Sequence, residues 1–357
     1  MSMPGVDIIV PVWNRPVETR ECLVNLVRHS PGARLILLSN GCDRETEALL
    51  EEFAEVLDER ALLISTGVNL GFVRAVNRGL ARAEAEFAAV VRFSSLVTGG
   101  WLEPLLQVGV SREEAGIIVP RLVHGPNDRK AHGAAPDADA SESSRGDFAA
   151  MLIRRSLYER IGGFDEEMDG GVWCLKDYSR RALTSGFLTY AVSGALVRYG
   201  EEPPLGSLSR REEALARSVA AYNERWGEER SFCIHFPKDA DSFLVRRELD
   251  IMLAGARQGH HFTVMVSPGT FAKLAGAGCA SLHGNMVLKK YPRIFPDRWT
   301  REETAALRGA TPGLVAVAGM EGREFPGVDE AIPFAQMERL ISADWAARYG
   351  EARQPAE

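Results

Sequence analysis

The polar residues best placed for chemistry stand at the ends of apolar runs. Asn14-Arg15 follows Asp7–Val12, and Ser39-Asn40 follows Leu35–Leu38. Asn69-Leu70-Gly71 follows Leu62–Ser65 after a short gap, and Arg92–Ser95 closes the run that begins at Phe87. Amides, hydroxyls and guanidiniums of this kind hydrogen-bond a polar ligand. Each has a plainer reading beside it. Asn14 and Asn40 suit turns, Asn69 suits a helix N-cap, and Arg92 suits a strand end with its stem packed. His260-His261 and His283 lack carboxylate or cysteine neighbours at ligand spacing, so they predict no metal site. Cys22, Cys42, Cys174, Cys233 and Cys279 form an odd, scattered set without CxxC, and predict neither a zinc site nor a disulfide framework.

The elements that must carry these residues follow from periodicity. Strands are predicted at Asp7–Val12, Leu35–Leu38, Leu62–Ser65 and Phe87–Arg92, and helices at Glu18–His29, Glu45–Leu57 and Val73–Ala83. This alternation predicts a mainly parallel sheet covered by helices on both faces, with its site beyond the strands' carboxyl ends. All the polar pairs above fall at those ends. Further strands are expected at Gly116–Leu122, Phe148–Ile153, Leu188–Val192 and Ala195–Tyr199. A long polar loop is expected over His124–Asp147, and helices over Arg155–Ile161, Tyr178–Thr184 and Arg217–Trp226. The run Leu208–Arg217 reads as a solvated helix face. The pattern restarts at Ser231, with strands at Ser231–Phe236, Phe262–Ser267, Ala280–His283 and Leu314–Gly319, and helices at Phe243–Arg257 and Thr270–Leu274. Two domains are therefore expected, 1–228 and a small α/β domain 229–357.

Composition narrows the function classes. The 357 residues are 45% hydrophobic, 25% charged and 8% aromatic, which is ordinary globular usage. With 42 basic and 49 acidic side chains the net charge is −7, which argues against a nucleic-acid partner. No apolar run approaches the roughly 18 residues of a membrane span, and the N-terminus has no signal-peptide pattern. A reduced, cytoplasmic protein is expected.

Several fragments together resemble the family 2 glycosyltransferases of GT-A fold. They are Ile8–Arg15, Leu37–Asp43, Asn69–Phe72 with Ala75–Gly79, Leu96–Leu105, Gly162–Glu166, and Asp177 with Arg181 and Gly186. The resemblance runs from about residue 7 to about 226. It implies a Rossmann-type sheet that binds a nucleotide sugar and passes the sugar to a glycan or protein acceptor. It places Pro11, Val12, Asn14, Arg15, Ser39, Asn40, Asn69, Gly71, Arg74, Arg92 and Ser94 on the donor side. It places Asp177, Asp169 and Glu166, with Glu167, as candidates for the base, and Trp101, Trp173 and Tyr178 on the acceptor side. Packing is the competing role for the aromatics, above all for Trp101. An i,i+4 ion pair is the competing role for Asp177 and Arg181. A divalent cation, Mn or Mg, is the family's usual counter-charge for the diphosphate.

The departures fall on that chemistry. Counting back from Gly100-Trp101, the Asp-x-Asp slot reads Arg92-Phe93-Ser94. The expected Glu-Asp pair before Asp177 reads Cys174-Leu175, the usual histidine reads Tyr199, and the first aspartate of the second-strand motif reads Ser39. Metal ligands are therefore missing. In one reading Arg92 takes the cation's place and transfer is metal-independent. In a second, the protein is a catalytically inactive relative that binds a partner glycosyltransferase or glycan, or forms a homo-oligomer. In a third, it is a nucleotide-sugar sensor. An open cleft shared by Arg92, Ser94 and Asn69 favours the first; a cleft filled by apolar side chains favours the second. For the C-terminal domain, acceptor binding and assembly stand as alternatives.

Overall fold

The computed structural model describes residues 4–124, 140–200 and 207–349. Most of the loop expected over His124–Asp147, and Glu201–Gly206 of the following polar stretch, lie outside them. The chain divides into Met1–Ala140 with Arg145–Tyr222, and Ser141–Ser144 with Asn223–Glu357.

The first unit opens with Val6–Val12 (β1), Pro16–His29 (α1), Arg34–Asn40 (β2), Arg44–Leu57 (α2), Ala61–Thr66 (β3), Phe72–Leu80 (α3) and Phe87–Val91 (β4). Near-continuous apolar strands of this kind are buried on both faces, and every residue of β1 is buried. Then come Ser95–Val97 (β5), Leu102–Ser111 (α4), Ala115–His124 (β6), Ala140–Glu142 (β7) and Ala150–Arg154 (β8). Arg155–Ile161 (α5), Trp173–Thr184 (α6), Leu188–Tyr199 (β9) and Leu208–Trp226 (α7) follow. The sheet order is β3-β2-β1-β4-β8-β6-β9-β5. β1 pairs parallel with β2 and β4, and β6 with β9, whereas β8 runs antiparallel to β4 and β6, and β5 to β9. The two strands expected at 188–199 are one, with a register shift opposite Pro120/Arg121. One face of β1 packs Ile8, Val10 and Val12 with Cys22, Leu23 and Leu26 of α1. On the other face α3 lies so close that a Cβ on Gly79 would stand 2.3 Å from a methyl carbon of Ile9.

The second unit holds Ser231–His235 (β10), Ser242–Arg257 (α8), His261–Val266 (β11), Pro268–Gly276 (α9), Met286–Lys290 (β12), Pro296–Ala310 (α10), Val315–Ala318 (β13), Ile332–Pro333 (β14) and Phe334–Tyr349 (α11). All its strands are parallel, in the order β12-β11-β10-β13-β14. This is a doubly wound arrangement with its switch point between β10 and β13. The strand expected at Ala280–His283 is not one: Cys279–Ser281 is a 3-10 turn, and the third strand begins at Met286. Ser141–Ser144 joins this unit through Glu142, whose carboxylate takes a bidentate pair of 2.6 Å hydrogen bonds from Arg257. No helix among the described residues is long and apolar enough to cross a membrane.

Candidate functional site

The site is built from loops at the carboxyl ends of β1, β2 and β4. After β1 the chain turns through Asn14 and Arg15, both left-handed at φ 57° and 61°, before Pro16 opens α1. Successive non-glycine residues in this region cost about 1–2 kcal/mol each. Asn14 is held there, its Oδ1 accepting the Asp43 N–H at 2.7 Å.

Asn40 and Asn69 organise the neighbouring loop. Asn40 Nδ2 donates to Asn69 Oδ1 at 3.0 Å and to the Gly71 carbonyl at 3.3 Å, and Asn40 Oδ1 accepts the Leu70 N–H at 3.0 Å. Asn69 Oδ1 also accepts the Gly71 N–H at 2.8 Å. Gly41 must be glycine: its φ is 68°, and a Cβ would lie 2.4 Å from the Asn69 backbone nitrogen. These asparagines therefore shape the loop before they touch any ligand.

Arg92 leaves β4 with its N–H donating to the Ala149 carbonyl at 3.3 Å. Its guanidinium carbon lies 4.6 Å from the centre of the Phe72 ring. Around these groups opens a cavity of about 830 Å³. Its lining includes the expected Pro11, Val12, Asn14, Arg15, Asn40, Asn69, Gly71, Arg92 and Ser94. Arg92, Ser94 and Asn69 thus share an open cleft. Trp13, Glu18, Glu21, Phe72, Phe93, Leu96 and Gly200 also line it, unforeseen from sequence. Glu18 and Glu21 could have been found, because the first turns of a helix after a strand-end loop face the strand ends. Arg15 pairs with Glu18 at 3.2 Å.

Other expected residues lie elsewhere. Ser39 is buried, its Oγ donating to Glu47 Oε1 at 3.5 Å, and Arg74 pairs with Glu166 at 3.1 Å; neither lines the cavity. Among the base candidates, Glu166 also accepts from Asn77 Nδ2 at 3.1 Å, and Glu167 and Asp169 are exposed. Asp177 is fully buried, 2.8 Å from Arg181, whose other nitrogens donate to the Ile161 and Gly163 carbonyls. None of them lines the cavity. Trp101, expected on the acceptor side, is a core residue: it is fully buried and its Nε1–H donates to Ser30 Oγ at 3.0 Å. Tyr178 is likewise enclosed, 4.3 Å from the Phe164 ring, so neither offers a face to a sugar. Trp173 is half-buried against Tyr222, with Lys176 over its ring.

The Arg92-Phe93-Ser94 slot does not fit a divalent cation. Arg92, Phe93 and Ser94 supply a positive charge, a ring and a hydroxyl where a hard cation needs carboxylate oxygens. Among the described residues no group of three or more His, Cys, Asp or Glu could hold a metal.

The first unit has a GT-A-like α/β architecture with its cavity at the strands' carboxyl ends. Residues 7–162 match the family model described as glycosyl transferase family 2. The solved structure of GalNAc-T7 with UDP, GalNAc and Mn2+ is similar in fold over 63% of this chain and 49% of that one, at 13% identity and a TM-score of 0.51. This chain thus spans about half the length of that protein. A mannosyltransferase, PcManGT from Pyrobaculum calidifontis in complex with GDP-Man and Mn2+, aligns over 99% of this chain and 89% of its own, at 15% identity and a TM-score of 0.48. No curated protein matches the chain.

Proposed function

We propose that the first unit holds a nucleotide sugar in this cavity and transfers the sugar to a glycan or protein acceptor, with Arg92 countering the diphosphate in place of a metal. The observation that carries it is the guanidinium of Arg92 in an open cleft beside Asn69 and Ser94. A guanidinium grips phosphate oxygens with paired, charge-assisted hydrogen bonds. It gains most when negative charge develops on the departing nucleoside diphosphate. The N-terminus of α3 adds its dipole at the same end of the sheet. The tips of β1 and β2, at Pro11–Arg15 and Asn40, are left for base and ribose.

A second reading is a non-catalytic donor-binding relative. It is favoured by the base candidates, since Asp177 is buried in an ion pair and the others stand outside the cavity.

Titration calorimetry with UDP, GDP and their sugars tests both, first in EDTA and then with Mn²⁺. Expected is binding that EDTA leaves unchanged and that Arg92→Ala weakens by at least about tenfold, the cost of losing a charge-assisted bond. Binding only with Mn²⁺ overturns the role of Arg92. Binding without release of nucleoside diphosphate to any acceptor supports the second reading, and a folded protein that binds none of the panel removes the donor site.

A further inference from the structure

The cavity holds a contact that its donor role alone does not explain: an aromatic ring laid under the one cation of the former Asp-x-Asp slot. We propose that Phe72 is a positioning residue, whose ring face fixes the Arg92 guanidinium in the place where a diphosphate binds. The inference rests on the donor-site reading above.

A metal ion is held rigidly by its ligands, but an arginine is a long side chain that must be ordered before it can serve. Two carboxylates, Glu18 and Glu21, line the same cavity, so a guanidinium able to swing has competing partners there. The ring face of Phe72 carries the negative end of the aromatic quadrupole, 4.6 Å from the Arg92 guanidinium carbon. It holds the cation without neutralising it, against the ring face rather than at the guanidinium's edge.

The ring itself is fixed from two sides. Phe72 is the first residue of α3, directly after Gly71, whose N–H and carbonyl are tied to Asn69 and Asn40. Behind it Phe148 meets the ring edge-on at 4.9 Å, and Phe164 stands 5.1 Å from Phe148. Phe148 and Phe164 are buried. The loop that carries Asn69 and the segments before β8 and after α5 thus converge on one ring, and through it on Arg92.

The test is calorimetry in EDTA with UDP and GDP on the wild type, Phe72→Leu, Phe72→Tyr and Arg92→Ala. Displacement of a fluorescent nucleoside diphosphate by uridine and guanosine gives the affinity without phosphates. Phe72→Leu is expected to weaken diphosphate binding about tenfold, the 1.4 kcal/mol scale of a shielded cation–π contact. It should leave the nucleosides within about twofold, and Phe72→Tyr, which keeps the ring face, close to wild type. If Phe72→Leu does not fold, trifluorophenylalanine at 72 keeps the shape and weakens the ring face, and a graded loss of diphosphate affinity is expected. Diphosphate binding unchanged in these variants, or nucleoside and diphosphate weakened equally, overturns the inference. If Arg92→Ala still loses binding in that case, the donor-site reading stands. If the wild type binds neither UDP nor GDP, that reading falls and the inference with it.

Discussion

Asp177 is the residue where family resemblance and local physics part. It sits on α6 with no exposed surface, paired with an Arg181 that also donates to the Ile161 carbonyl at the end of α5 and to the Gly163 carbonyl. Removing one partner from a buried pair leaves the other charge uncompensated, at about 3–5 kcal/mol. Asp177→Asn is therefore expected to lower unfolding free energy by a few kcal/mol in urea titrations while leaving nucleoside diphosphate affinity unchanged. Loss of affinity at full stability would show that Asp177 reaches the ligand. Asp7 gives a second test. Burial opposes its ionisation, but Arg34 at 2.9 Å and the N–H groups of Ala85 and Glu84 outweigh that and hold its carboxyl below the ordinary value. A depressed folded pKa gives stability that is complete above the unfolded value of about 3.9 and is lost as pH falls through the lower folded one. Asp7→Asn should flatten that acid limb in urea midpoints measured from pH 5 downward.

At the scale of elements, the close approach of α3 to β1 decides where Phe72 stands. Gly79→Ala would drive a methyl into Ile9, and overpacking of this kind costs about 1–3 kcal/mol. The expected outcome is a lower melting temperature together with weaker diphosphate binding, because the helix that moves carries Phe72. The elements of the first unit were readable where burial is two-sided: β1 to β4 are apolar runs bounded by turn residues. Ser193-Gly194 reads as a break, yet β9 absorbs it as an irregularity and continues. β12 was missed because Met286–Lys290 is an edge strand, half polar and only partly buried. Ala280–His283 reads as a strand but is bent by a left-handed Gly278, with His283 Nδ1 accepting the Asn285 N–H. In the site, the strand-end polar residues were legible from position alone. Phe72 was not, because a phenylalanine at a helix start reads as core until the guanidinium above it is seen. Trp101 and Tyr178, expected on the acceptor side, are enclosed in the core, the same ambiguity in reverse.

At the scale of the whole molecule, the two units should answer acid differently. In the second unit burial pushes His235 down to about 4, against a small opposing pull from Asp297, and pushes His283 down to about 3, with Arg257 and His261 adding to it. Both fold as neutral imidazoles, so their stabilisation is complete above the unfolded value of about 6.5 and is lost as pH falls towards those folded values. The first unit's Asp7 pair holds until the carboxylate range. Hydrogen exchange at pH 5 against pH 7.5, corrected for intrinsic rates, should show loss of protection in β10–β13 before β1–β4. His235→Phe should narrow the gap. Equal loss in both units would remove the histidines as the cause.

The strand order of the first sheet also bears on how the chain is made. β1, β2 and β3 can pair once residue 66 is free of the ribosome, and β4 can join by residue 91. β8, which links β4 to β6, arrives only at residue 154, and β9, which covers β6 and holds β5, only at 188–199. At about 5–20 residues per second, a growing sheet with an unfinished edge is exposed for several seconds. An open edge invites pairing with other chains. The long strand β9 therefore acts as a late closing rung, and nascent chains cut short before residue 188 are the ones expected to call on chaperones.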